Sequence, residues 1–377
     1  MPFSLVNSRS ISSFVLRNNW FSGLIDLNCS VMVNLKLLDL VDNKFTGSIP
    51  NNLPACPLLK TIDLSGNNLT GQIPETLKNF NSLCYLSLSM CNLNNLSGSL
   101  QILHTCPNLT TLVLSRSFDS EEIFHLFPNL SYFAAHSNNL DGRMPFSLVN
   151  SHSISSLVLR NNSVSSLIDL NCSAMVNLKL LDLVDNKFTG SIPNNLPACP
   201  LLKTIDLGGN NLIGQIPETF KNFNSLCYLS LSSEEMSSDA NLHFKKLKTL
   251  VIPSCKLTGR IPVWLNGLIK LRILDLSWNE LTRSIPPFLG SLQYLVYLDL
   301  SNNYLSGEIP KSLTGLPDRQ FHETFVLFSG EIRIAGDEDC RGRRSPEMKI
   351  AGDVEERCEK VGGKSARSLK CIGGCNV

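Results

Sequence analysis

The sequence predicts an α/β-type repeat solenoid with a parallel sheet along its concave side, and three observations predict it. The pattern L-x-x-L-x-L-x-x-N recurs along the chain, most of its steps are 24 residues long, and residues 1–89 are spelled out again as 144–232 with nine differences. Asparagine closes the pattern at Asn19, Asn43, Asn67, Asn138, Asn162, Asn186, Asn210, Asn279 and Asn303, while Cys91, Ser117, Glu234 and Cys255 take the same slot, 13 in all. The long repeat is six short ones, so a duplicated block enters without breaking register.

Each pattern unit justifies a strand. The alternating leucines of "LLDL" point one way, as the period of two in a strand requires. One unit cannot bury that face alone, so units must stack and share a core. The slot asparagine donates and accepts through one amide and can satisfy the turn that leaves the strand. Cysteine substitutes there as a small buried group with a weak donor. Glu234 is costly at a buried slot, so a distorted repeat is expected near "SSEEMSSDANL".

A period in the twenties with this spelling is the leucine-rich repeat signature. After each slot comes "LTGQIP" or a variant, with Ile-Pro at 49–50, 73–74, 192–193, 216–217, 261–262, 285–286 and 309–310 and Met144-Pro145 as a relative. Proline removes a backbone donor and stops a long helix from forming on the convex side. The L-x-G-x-I-P spelling resembles the plant extracellular subclass, so a plant-type horseshoe of about 13 repeats is the expected fold. Arg283 replaces the turn glycine in "LTRSIPP", at a cost of about 1 kcal/mol if that site needs a positive φ.

Composition narrows the function classes. The net charge of +1 over 377 residues suggests neither nucleic acid nor an anionic membrane as partner. There is no uncharged apolar run of membrane-spanning length and no basic start followed by an apolar stretch, and the chain begins in the middle of a repeat, as a truncated start would. Phe3, Leu5 and Ile11 have nothing stacked before them, so the open terminal core is expected to be weak.

The leucine period stops at residue 317. Residues 318–377 hold 11 acidic and 11 basic residues in 60, and apart from one hairpin over "TFVLFSGEIRIAG" they read as a charged, largely disordered C-terminal tail. The domains expected are therefore a solenoid over 1–317 and a tail over 318–377.

Seven sequons, at Asn28, Asn68, Asn95, Asn108, Asn129, Asn161 and Asn171, are candidate N-glycosylation sites. Thirteen cysteines are present, but none of those in the repeats forms a close pair in sequence, so buried or loop thiols are expected rather than disulfides. Cys340, Cys358, Cys371 and Cys375 in the tail fit no zinc template.

Catalytic patterns fail. "GGKSA" is half a phosphate loop, with Cys358 where a glycine is needed. No kinase motif set occurs, and the six histidines show no metal or triad spacing. No catalytic residue, cofactor or metal is expected. What the fold offers instead is the outward strand positions, which include Asp39, Asp63, Asp182 and Asp206. The candidate contacts for a peptide or protein ligand on the concave face are Ser115, His136, Arg160, Asp275, Ser277, Tyr297, Asp299 and Ser301.

Off-consensus fragments carry a closer likeness. "NCSAM", "FKNFNSLCYLSLS" and "LHTCPNLTTLVLS", within residues 1–317, resemble the ectodomain of plant phytosulfokine receptors. The resemblance implies a plasma-membrane receptor kinase that recognises a sulfated pentapeptide outside the cell and recruits a co-receptor kinase. It also implies a non-repeat island beginning soon after the unit that here ends "IPKSLTGL", where this sequence enters its charged tail. Three readings follow: a receptor-derived binding module, a remnant or decoy of a duplicated receptor gene, and an intracellular repeat adaptor. Near-identity of the two copies points to recent segmental duplication or to two neighbouring genes read as one.

Overall fold

The computed structural model describes residues 7–118, 129–231, 242, 244–315, 326–328 and 331–333. The chain divides into two units, Met1–Gln320 and Phe321–Val377. Among the described residues of the first, 13 strands form one sheet in strict sequence order, and every pairing is parallel. The expected number of repeats is thus the number of strands, from Ser13–Val15 to Tyr297–Asp299. Register follows the pattern: Leu38 lies beside Ile62, and Leu181 beside Ile205.

Inward leucines from successive strands join convex-side residues in one contiguous core running the length of the described repeats. Phe45, Phe133, Phe188 and Phe220 are its largest fully buried side chains. The asparagine ladder stitches units together. Asn67 Nδ2 donates to the carbonyls of Leu40, Leu64 and Ser65 at 2.9, 3.0 and 3.2 Å, and Asn67 Oδ1 accepts from Phe45 N at 3.0 Å. One amide therefore meets four backbone groups from two repeats. The replacements keep part of this: Cys91 and Cys255 reach the preceding repeat through Sγ, and Ser117 through Oγ. Burial pushes the Cys91 thiol up to about 11, so this slot cysteine stays protonated. Glu234 and its expected distortion lie outside the described residues.

Proline shapes the convex side as anticipated. Behind Ile-Pro the chain makes only short 3-10 turns, such as Glu75–Leu77 and Glu218–Asn222. One of the repeats without Ile-Pro makes an eight-residue α-helix, Leu96–Leu103, whose N-cap Asn95 accepts from Gly98 N at 3.0 Å. Glycines in the L-x-G-x-I-P turns sit at positive φ, for example Gly47 at 85° and Gly214 at 83°. Arg283 takes this conformation too, at 74°, so the strain of about 1 kcal/mol is present.

One expectation is overturned. Cys29 is bonded to Cys56 and Cys172 to Cys199, with Cα separations of 4.5 and 4.6 Å, inside the range a disulfide needs. Each pair is 27 residues apart, close to one repeat, and in a solenoid that separation is the stacking distance. Closeness in sequence was the wrong measure. Cys84, Cys91, Cys106, Cys227 and Cys255 carry thiols rather than disulfides.

Of the tail, Val326–Phe328 and Glu331–Arg333 pair antiparallel, the hairpin expected within "TFVLFSGEIRIAG". Its expected disorder elsewhere, and Phe3 and Leu5 at the start, lie outside the described residues. Val15, Trp20 and Phe21 are exposed by 49%, 77% and 44%, whereas the second-copy Val158 and Val164 are buried. Ser13–Val15 pairs with Leu37–Asp39, whereas Ser156–Val158 lies between two paired strands.

Candidate functional site

The concave face is built from the outward residues of strands three or four residues long. Because each strand repeats the same spelling, these residues form rows that cross the sheet. The middle row carries Asp39, Asp63, Asp182, Asp206, Asp275 and Asp299. Each accepts through Oδ1 from the backbone N–H two residues on, at 2.9 to 3.4 Å. That local bond fixes the carboxylate relative to its own strand.

Neighbouring strands extend the network. Tyr85 OH donates to Asp63 Oδ2 at 3.3 Å, and Tyr228 OH to Asp206 Oδ2 at 3.0 Å. Ser65 Oγ donates to Asp63 Oδ1 at 2.7 Å. The second copy has Gly208 there, and Ser230 bonds to Asp206 from the next strand. Arg17 pairs with Asp39 at 2.9 Å and Arg160 with Asp182 at 3.7 Å. Between these two acidic patches the outward positions are apolar and buried: Val113, Ala134 and Val158, with Tyr132 and Leu180 packed against them.

Burial pushes the carboxyls of Asp63 and Asp206 above the ordinary 3.8, against the lowering effect of their hydrogen bonds. Tyr228 is raised well above 10, first by burial and then by the charge of Asp206. A carboxyl whose folded pKa is raised takes up its proton more readily in the native state. Its ionisation is therefore a cost that is absent below about 3.8 and complete above the raised value. Asp206→Asn is expected to be more stable than the parent at pH 7, with the gain gone by about pH 3.5. Urea unfolding of both proteins at the two pH values checks this, and an unchanged difference would mean that the carboxylate is not penalised.

The sequence-predicted contacts divide. His136, Arg160, Asp275, Asp299, Ser301 and Tyr297 present surface on the concave side. His136 Nδ1 lies 3.2 Å from Ser137 Oγ. Ser115 and Ser277 occupy outward positions but are buried, at 2% and 5% exposure; Ser277 Oγ is spent on Asp275 at 2.7 Å. Sequence reasoning missed Tyr85, Tyr228 and the apolar trio, although the same outward register would have found them. Six sequon asparagines are exposed and Asn28 is half-buried. No cluster of metal-ligating side chains occurs among the described residues, and no described helix is long and apolar enough to cross a membrane.

Family comparisons agree with this geometry. "Leucine rich repeat" matches residues 245–305, "Leucine Rich repeats (2 copies)" matches 176–222, and "Leucine Rich Repeat" matches 34–56 and 58–80. The chain is a leucine-rich repeat solenoid. It resembles plant receptor ectodomains. Its likeness to phytosulfokine receptor 1 of Arabidopsis thaliana is 47% identity over 60 residues, 16% of this chain and 6% of that protein. The solenoid superposes on the GASSHO1/SCHENGEN3 ectodomain of Arabidopsis thaliana, in complex with CASPARIAN STRIP INTEGRITY FACTOR 2, with a TM-score of 0.70 at 31% identity. That match covers 85% of this chain and 39% of the receptor chain. The Arabidopsis receptor kinase HAESA, in complex with the peptide hormone IDA and the co-receptor SERK1, gives 0.60 at 29% identity over 83% of this chain and 49% of that one. The solenoid therefore spans well under half of the first relatives it matches.

Proposed function

We propose that this solenoid is a non-catalytic binding module that takes an extended peptide, or an extended segment of a partner protein, across its concave face. The observation that carries the reading is the row of six aspartates, each held by its own strand and joined to tyrosine, serine or arginine neighbours. Side chains already ordered lose little entropy on binding, and an acidic row suits a donor-rich peptide. The peptide-bound receptors with the same fold support this reading, and HAESA suggests a co-receptor kinase as a further partner. Two disulfides and seven sequons favour the extracellular side of the plasma membrane.

The likeness to a phytosulfokine receptor is local, and the resemblance puts a second binding wall where residues 318–377 stand. A sulfated pentapeptide on this chain would meet one wall, with few of its backbone donors satisfied. Calorimetric titration is expected to give a Kd no tighter than about 1 mM, near −4 kcal/mol. Micromolar, sulfate-dependent binding would show that the repeats alone suffice. The general reading is tested with display-selected dodecapeptides. Their binding should be lost on Arg160→Glu or Asp275→Lys and kept on Lys221→Ser, which changes the convex turn Glu218–Asn222. Binding that maps to the convex side or to residues 318–377 would overturn it.

A further inference from the structure

The two 89-residue copies lay down the same concave patch twice. Arg17, Asp39, Asp63 and Tyr85 reappear as Arg160, Asp182, Asp206 and Tyr228 six strands on, a distance of ~29 Å at ~4.8 Å per strand. Two of the nine substitutions between the copies act on sequons. Trp20 becomes Ser163, which creates Asn161-Asn162-Ser163, and Thr70 becomes Ile213, which removes from the second copy the sequon that the first has at Asn68.

Their positions differ in kind. Asn161 stands on the concave side of slot Asn162, next to Arg160, where the strand exit turns through a left-handed φ of 55°. It is exposed, and its Nδ2 donates to Ser137 Oγ at 3.2 Å. Asn68 lies on the other side of its slot, opening the flank strand Asn68–Gly71. The first-copy counterpart of Ser163 is Trp20, whose ring lies 4.2 Å from Lys44 Nζ.

We infer that an N-linked glycan on Asn161 shields the rim of the second patch and leaves the first as the open one. Two surfaces alike in their concave chemistry are thereby made unequal in access. The inference rests on the proposed extracellular route. In the modification the Asn161 amide nitrogen attacks C1 of a lipid-pyrophosphate-linked oligosaccharide. The C1–N bond forms as the C1–O bond to pyrophosphate breaks, one amide proton is lost, and the lipid pyrophosphate leaves. The remaining N–H can still donate to Ser137.

The test secretes the full chain from plant cells behind a cleavable leader, maps glycopeptides by mass spectrometry and follows phenylglyoxal modification of Arg17 and Arg160. Asn161 is expected to be occupied. Arg160 should react severalfold more slowly than in the Asn161→Gln variant, with Arg17 unchanged between the two. Trp20→Ser creates a sequon at Asn18 and should extend the protection to Arg17. Occupancy at Asn28, Asn108 or Asn129 with Asn161 bare would overturn the inference and leave the extracellular reading standing. Seven bare sequons would overturn both. A glycan on Asn161 with no change at Arg160 would overturn the shielding.

Discussion

Phe188→Ala is expected to lower the unfolding free energy by about 4 kcal/mol, the cost of deleting a fully buried phenyl ring and leaving its cavity. Phe188 has no exposed surface and lies in the continuous core between the sheet and the convex side. Its backbone is pinned, because its N–H donates to Asn210 Oδ1 at 3.1 Å, and Asn210 in turn holds the carbonyls of Leu183 and Leu207. The chain therefore cannot sink inward to fill the space, which places the cost at the upper end of the large-to-small range. Because each repeat leans only on its neighbours, the loss should also broaden the urea transition. Circular dichroism through the transition reads both effects. A loss below about 1 kcal/mol would mean that the site collapses around the gap.

Removing the Cys29–Cys56 bond is expected to cost about 3.5 kcal/mol, the loop-closure entropy of a 27-residue loop. The measurement is the stability of the Cys29→Ala, Cys56→Ala double variant, which leaves no orphan thiol behind. The equivalent change at Cys172 and Cys199 should cost about as much, since that loop is the same length. Peptide mapping without reductant should recover the 29–56 and 172–199 linked peptides. Alkylation of all four thiols in the native protein would show them reduced and remove the basis for the effect.

Local spelling made most of the fold legible. The period told where strands begin, how many there are and that they pair in order, because only stacking can bury a face that a single unit leaves open. The positive φ at Arg283 was legible for the same reason: it depends on residues adjacent in the chain. The outward register located the aspartate row, including Asp275 and Asp299.

What the sequence could not decide was what one repeat does to the next. Ser115 and Ser277 read as outward and are outward, yet neighbours cover them. Asp63 is buried beneath a serine and a tyrosine, the latter one strand away. Cys29 meets Cys56 across one stacking interval. By itself the sequence determined the repeat, its count and the face each side chain takes, since these follow from backbone period alone. The tertiary structure decided burial, charge state and cross-linking, since these arise where residues some 24 to 27 positions apart are pressed side by side in the sheet.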